Sequence, residues 1–520
     1  MILKLLGVRI KGFKKLRNLD LKFNDGVSVI VGENESGKSS LLTAIDVVLN
    51  QSIFLRADPS LDRYLNIDNC ELFFSDPSKD TLPRIDIELF IDFGTSVKSL
   101  DFSGLHYSDI KDNQPYSGIR FSYDFDMEFI NDVDFLQFAQ NRVIPTEYYR
   151  ATWITFQGKT YKRQNLPGNT ILLDNSNTKN DIFGGYARNI YRAKVNSESH
   201  RALTSELKQT LKTFLSCKKD DLEIDEQKHI GFDSNKTDIL KLIDIFENDI
   251  SIQDMGKGKE NLIKTETSLS DNLFDIIFID EPENHLSFTN TRKLVDLLKK
   301  RTTEQVILVS HSSLVVSRLD LNNVIWLSEN GTHNLKDLRS ETTDYFSKID
   351  NLDLLRFILA EKVILVEGAA EYIILPKIYQ KELGNRIETD GVEIISMGSI
   401  SYERYREVAE SLNKKVAVIT DNDKVIKDYE NTDLFRIFSD SDVNNWTLEV
   451  AFYNSNVDFF DELYKDKKNE SNYKGEEMKK SCAYMLKNKS DNALLLEKHI
   501  HELEIPNYLK EAVKWIKELY

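Results

Sequence analysis

Residues 32–40, Gly-Glu-Asn-Glu-Ser-Gly-Lys-Ser-Ser, have the types and spacing needed to grip phosphate. They follow the apolar run Val27-Ser28-Val29-Ile30-Val31 and lead into Leu41-Leu42-Thr43-Ala44-Ile45, which predicts strand, loop and helix in the order phosphate binding needs. Gly32 and Gly37 let main-chain N–H groups wrap the phosphates, Lys38 neutralises β/γ oxygens, and Ser39 is placed to hold magnesium; Asn34 and Ser40 complete the expected nucleotide cradle. Much later, Ile276-Ile277-Phe278-Ile279 reads as a buried parallel strand ending in Asp280 and Glu281. Asp280 is expected to bind magnesium and Glu281 to orient or deprotonate an attacking water. A second such strand, Val306-Ile307-Leu308-Val309, ends in Ser310 and His311, and His311 is placed to contact a γ-phosphate.

A second acidic set lies in the C-terminal half. Val363-Ile364-Leu365-Val366 ends in Glu367, with Gly368 beside it and Glu371 one helical turn on; Val416-Ala417-Val418-Ile419-Thr420 ends in Asp421, Asn422 and Asp423. Carboxylates at a strand end and at i+4 can converge on one cation, and an all-oxygen set suits magnesium or manganese rather than zinc. Such a centre would orient water and stabilise an in-line phosphodiester displacement. Asp-Asn-Asp alone is an ordinary turn. Both halves in order, separated by a strand-bearing segment with Met397-Gly398-Ser399, make the metal reading the better one. A nucleotide site and a divalent-metal site on one chain point to an ATP-governed enzyme acting on nucleic acid.

The phosphate loop, the Asp280-Glu281 pair and His311 together resemble the ATP-binding-cassette ATPases of the recombination and chromosome-maintenance branch. The resemblance implies that Glu281 is the catalytic glutamate, His311 the switch histidine, and that two protomers sandwich ATP. The signature loop would be Met255-Gly256-Lys257-Gly258-Lys259-Glu260, with Gly256 and Gly258 against the nucleotide; Met255 stands where the family has serine, which leaves γ-phosphate recognition to main-chain amides and Lys257. The glutamine loop is left unassigned. Glu367, Glu371, Asp421 and Asp423 resemble the metal ligands of Toprim domains. An ATPase followed by Toprim is similar to the overcoming-lysogenization-defect (OLD) family of ATP-dependent endonucleases, strongly over 1–60 and 250–330, clearly over 362–455, and by order elsewhere. By that resemblance Glu449 is a further carboxylate, and Lys489, with Lys487 as runner-up, stabilises the transition state or leaving group. It also implies DNA as substrate, Mg2+ or Mn2+ at both sites, a homodimer or higher homo-oligomer through the ATPase domain, and a role in phage defence or DNA processing beside a possible second defence-system protein.

The elements that must position these residues form an α/β chain too long, at 520 residues, for one core. The expected division is an ABC-type ATPase domain over 1–345, a connector over 346–361, and a Toprim domain with a helical, charged extension over 362–520. Within the first, 80–165 reads as antiparallel strands, and about 187–250 as a helical insertion with Leu203, Leu207, Leu211 and Phe214 at helical spacing, facing either a dimer partner or an internal core. Strands are expected at 275–279, 305–309 and 323–327 and a helix at 289–300. A net charge of −17 excludes a passive, wholly basic nucleic-acid binder, so DNA contact must rest on local patches such as Lys474, Lys479, Lys480, Lys487 and Lys489. Trp446 reads as core ahead of a base-stacking platform. Cys70, Cys217 and Cys482 are scattered without a CxxC pair, which argues against zinc or a disulfide scaffold and fits the cytoplasm. No membrane segment or secretion signal is read. The competing reading is a non-nucleolytic ATPase clamp or scaffold; a primase or strand-passage enzyme ranks last, since no zinc ribbon or tyrosine-bearing winged helix accompanies the site.

Overall fold

The computed structural model describes residues 3–518 except 52–60, 109–113, 176–184, 226–227, 232–237, 271, 301–303, 329–330, 336–337, 349–352, 399–400 and 467–470, so Ser399 lies outside the described residues. The chain packs as two compact units, Met1–Val315 with Leu327–Thr332, and Val316–Trp326 with His333–Tyr520.

In the first unit two sheets share the work. Strands Leu16–Lys22, Lys4–Phe13, Ile85–Asp92, Tyr116–Phe125 and Tyr149–Thr155 pair antiparallel in that order. Alternating side chains such as Val8, Ile10, Ile87 and Leu89 are buried on one face, as the period-2 pattern requires. The second sheet sets Val27–Gly32, Gln305–Val309, Ile276–Asp280 and Thr170–Asp174 side by side and parallel. Ile276–Asp280 and Gln305–Val309 are buried at every residue, which explains their unbroken apolar sequence. Parallel pairing aligns the strand ends, with Asp280 opposite both Val309 and Asp174. The helix after the phosphate loop is Lys38–Asn50, and the expected helix at 289–300 is Phe288–Lys300.

The insertion is helical only in its first half. Helices Gly185–Lys194 and Ser197–Cys217 are followed by short hairpins at 223–229 and 246–251. Ser197–Cys217 buries none of its residues, and Leu203 and Phe214 are exposed, so its apolar stripe is not an internal core face.

The second unit is built on the parallel sheet Val392–Ser396, Lys362–Val366, Lys415–Ile419, Phe435–Phe438. Helices Ala369–Leu383, Lys489–His499 and Asn507–Lys517 pack around it; Ile364, Ile374, Ile378, Ala417, Leu509 and Val513 share one core. Because the central strands run parallel, Glu367 and Asp421 leave the sheet at the same end. Among the described residues no helix is long and apolar enough to cross a membrane.

Candidate functional site

The nucleotide residues of the first unit gather where the parallel strands end. Gly37 sits at φ 95°, and a Cβ there would lie 2.6 Å from the Leu16 side chain; a Cβ on Gly32 would lie 2.6 Å from the Leu327 carbonyl. Both glycines are therefore required by the loop itself. Lys38 is buried, and its Nζ donates to the carbonyls of Gly32 (2.9 Å) and Glu33 (2.5 Å). Burial lowers its pKa, against the fields of Asp280, Glu281 and Glu33. Asp280 is buried and pushed up to about 6, first by burial and then by Asp174, Glu281 and Glu283, while a hydrogen bond from Ser39 pulls the other way. Its Oδ1 has no hydrogen-bond partner among the described residues. A buried carboxylate with an unmatched oxygen beside a serine hydroxyl fits a divalent cation, which would take the place of the proton.

Glu281 adopts the left-handed conformation at φ 50°, held by its N–H on Val309 O (3.0 Å) and by Asn284 Nδ2 on its Oε2 (3.3 Å). Strained backbone at a strand end is where a reactive side chain is typically aimed. The His311 pKa is lowered by burial and by Lys38, with Glu281 opposing, so Lys38, Glu281 and His311 lie within one another's fields and the imidazole is neutral at pH 7. Asn34 is exposed on the loop and Ser40 half-buried at the helix start.

Gly256 caps the helix Lys257–Ser268, and Gly258 lies in its first turn. A Cβ at Gly258 would stand 2.3 Å from the His285 carbonyl, whereas Gly256 has open space. Gly258→Ala is therefore expected to cost about 1–3 kcal/mol by overpacking, with Gly256→Ala neutral for folding; thermal melts of the two variants check the pair. The Lys257 ammonium is held by buried Glu260 at 2.8 Å, so a phosphate would have to compete for it.

Two neighbours escaped the sequence reading. Half-buried Glu283 accepts from Ser310 Oγ (2.9 Å) and the His311 N–H (2.8 Å), fixing the turn that carries His311. Asn175 comes directly after Thr170–Asp174, donates its N–H to Asp280 O (3.2 Å), accepts from Asn284 Nδ2 (3.2 Å), and keeps a buried Nδ2 without a partner among the described residues. The available signal was the one used for Asp280: a polar residue directly after an apolar strand.

In the second unit Glu371, Asp421 and Glu449 face the Lys489 ammonium, and Glu367 adjoins Asp421. Glu367 Oε1 accepts from Thr420 Oγ1 and from the Asp421 N–H (3.2 Å), which ties the two strand ends together. Asp421 Oδ1 accepts the Leu448 N–H at 3.1 Å, bringing in the helix Leu448–Ser455 and with it Glu449. Glu449 is 2% exposed. Its Oε2 lies 2.9 Å from Lys489 Nζ, a close ion pair. Asp421 is pushed up to about 8 by burial, then by Glu367 and Glu371, with Lys489 opposing and Glu449 adding. Glu371 is raised by burial, Glu449 and Glu367. Burial works against the charge on Lys489, but Glu449, Asp421 and Glu371 outweigh it and raise its pKa. Tyr508, fully buried, turns its phenol into the same field, a residue with no sequence signal at all.

Asp423 is not part of this group. It sits at φ 51° with its side chain 72% exposed and paired to Lys427 at 3.2 Å. The buried member of the Asp-Asn-Asp turn is Asn422, whose Nδ2 donates to the carbonyls of Asp440 and Asp442, both at 2.9 Å. Lys487 is exposed at the end of Lys480–Lys487.

Among the described residues no three acidic, imidazole or thiol side chains already form a metal cage. The donor set nonetheless fits a hard divalent cation. It is all carboxylate, and Asp421 prefers a proton in its absence. Metal must therefore displace a proton from Asp421. Affinity for Mn2+ is expected to rise as pH climbs toward 8, and Asp421→Asn to flatten that rise; calorimetric titrations from pH 6 to about 9 decide. The sign for stability is the reverse. The folded-state pKa lies above the unfolded 3.8, so the metal-free stability contribution is full below 3.8 and lost as pH rises through about 8.

A family model described as an AAA ATPase domain matches residues 3–316, and one described as the TOPRIM domain of overcoming lysogenization defect-like proteins matches 358–423. Glu367, Glu371, Asp421 and Asp423 fall inside the second match; Glu449 and Lys489 lie beyond it. Among solved structures the chain is similar to the SMC head domain from Thermotoga maritima, at 15% identity over 63% of this chain and 94% of that one, TM-score 0.29. It is similar also to the Smc head domain with an extended coiled coil from Pyrococcus furiosus (13%, 67% and 100%, TM-score 0.33) and to the recombination mediator protein RecF-ATP (13%, 64% and 99%, TM-score 0.32). No curated protein matches the chain significantly.

Proposed function

Because the chain belongs to the family that joins an AAA ATPase domain to an OLD-like Toprim domain, we propose that it is an ATP-regulated, divalent-metal-dependent DNA endonuclease. The observation that carries this reading is the carboxylate group at the sheet end, buried Glu371 and Glu449 with half-buried Asp421 set against the cation of Lys489, and exposed Glu367 bonded to the Asp421 N–H. Glu367, Glu371, Asp421 and Glu449 would hold Mg2+ or Mn2+, which supplies charge neutralisation at phosphate and a nucleophilic water. Lys489, paired with Glu449 in this structure, would supply positive charge to a developing oxyanion. Glu367 keeps Asp421 aligned through the Asp421 N–H. In the first unit Lys38 would bind phosphate, Ser39 and Asp280 would hold the nucleotide's magnesium, and Glu281 would orient water.

Helix Ser197–Cys217, with Leu203 and Phe214 exposed and Leu207 and Leu211 half-buried, supports a homo-oligomer formed through the ATPase unit. Anti-phage defence with a companion protein is the biological setting we infer from the family. The clamp or scaffold reading draws on the lack, among the described residues, of a ready-made cage. Plasmid nicking by purified protein with Mg2+ or Mn2+, with and without ATP, separates them. Metal-dependent cleavage that responds to ATP is expected; intact ATP binding with no cleavage under either metal leaves the scaffold.

A further inference from the structure

The chain has four tryptophans, and Trp153, Trp326 and Trp515 are each at most 8% exposed. Trp446 is different: it is only half-buried, and it stands three residues before Glu449. Its position is fixed from the carboxylate centre. Asn422 fastens the turn after Asp421 to the 440–445 loop that delivers Trp446, and its Oδ1 accepts the Lys424 N–H at 2.9 Å. Two residues past Trp446, the Leu448 N–H is bound by Asp421.

Trp446 lies nearly parallel to the half-buried ring of Tyr473, with centroids 6.4 Å apart and planes inclined by 29°. Tyr473 is carried by a two-strand hairpin, Asn472–Tyr473 with Glu476–Glu477, turned through Lys474 and Gly475 at positive φ. Lys424 Nζ stands 4.8 Å from the Trp446 ring centre and Lys474 Nζ 5.4 Å from that of Tyr473. The backs of both rings rest on the core and their remaining surface is open. Lys424 is otherwise held by an exposed ion pair with Glu476 (2.5 Å), the kind of contact that water makes weak and a phosphate can replace. Near-parallel, half-open aromatic rings with cations at their faces take a nucleobase by stacking and its phosphate by charge.

We propose that Trp446, Tyr473, Lys424 and Lys474 form a nucleotide-binding rim beside the carboxylate centre, so that the strand being cut is single-stranded or locally unpaired there. The inference rests on the endonuclease reading and names its substrate class. A tryptophan serving the core alone would be covered like the other three; lysines stand over buried Trp326 and Trp515 as well, so it is the open ring surface of Trp446, next to that of Tyr473, that sets it apart.

The test uses the full-length protein and two readouts. In EDTA, titration with a short oligothymidylate is expected to quench tryptophan fluorescence in the wild type and not in Trp446→Phe. With Mn2+, one sequence is offered as single strand, as a duplex with an unpaired bubble, and as perfect duplex. Wild type is expected to prefer the first two, and Trp446→Ala to raise KM for them by roughly 5- to 150-fold with little change in kcat, Trp446→Phe retaining most of the affinity. Cleavage of perfect duplex as efficient as of the bubble, or a Trp446→Ala defect equal on every substrate and matched by a lower Tm, overturns the rim while leaving the nuclease. Quenching without cleavage of any substrate by wild type keeps the rim and overturns the nuclease. Neither quenching nor cleavage overturns both.

Discussion

Asp421→Asn is expected to lower metal-dependent cleavage by about 10³-fold or more while leaving the protein folded. The large loss stems from its place among the carboxylates: Asp421 is bound to the Leu448 N–H, its own N–H is held by Glu367, and it feels Glu371 and Glu449. An amide there supplies no charge to a cation, and metal-centred stabilisation of phosphoryl displacement is worth several kcal/mol. Folding is spared for the same reason that the pKa is high. With a pKa of about 8, the metal-free side chain is already a neutral acid at pH 7, and asparagine is its near-isostere. Above pH 8 the metal-free variant should melt at a higher temperature than wild type, because it no longer carries the unfavourable buried charge. Asp423→Asn is the internal control. Its carboxylate points to solvent and Lys427, so it is expected to retain more than about half of the activity, since exposed ion pairs contribute little. Equal losses from the two substitutions would refute the placement of Asp423 outside the site.

That contrast shows how much was legible in the sequence. Parallel buried strands announce themselves as unbroken apolar runs, and the residues just past each run must emerge at a common sheet edge; Glu367, Asp421, Asp280 and His311 were readable on that ground. Helical spacing placed Glu371 on the same side, since i+4 is a local rule. Asp423 was not readable, because the alternation of a strand ends where a positive φ begins and the side chain then points where the turn sends it. Asn422 took the buried position by satisfying main-chain carbonyls about twenty residues ahead, a nonlocal demand with no signature in the turn. Glu283 and Tyr508 reach their sites through tertiary packing alone, while Asn175 carried the same strand-end signal as Asp280. Helix Ser197–Cys217 shows the converse: its spacing gave the element correctly, yet an apolar stripe cannot say what covers it, and among the described residues nothing buries it.

Lys38→Ala and Glu281→Gln are expected to split nucleotide binding from turnover, each with a large effect. Lys38 is the buried ammonium of the phosphate loop, and its hydrogen bonds to Gly32 and Glu33 carbonyls are those a phosphate would take over. Charge-assisted bonds of this kind contribute about 1.5–3 kcal/mol each, so ATP affinity should fall by ~10- to 150-fold. Glu281 sits past the strand end in strained backbone, linked to Asn284 and in the fields of Lys38 and His311. Glutamine preserves shape and hydrogen bonding but cannot accept the water's proton, so hydrolysis should drop by about 10²–10⁴-fold with ATP binding retained. Filter binding and phosphate release check the two arms. The pair also fixes the sign of coupling. If bound ATP restrains cutting, Glu281→Gln stays restrained after ATP is added and Lys38→Ala cuts regardless of ATP; if turnover drives cutting, both variants are inactive. Identical cleavage by wild type and both variants under all nucleotide conditions would show that the two sites are uncoupled, and the ATP-regulated part of the proposed function would fall while the metal-dependent part stood.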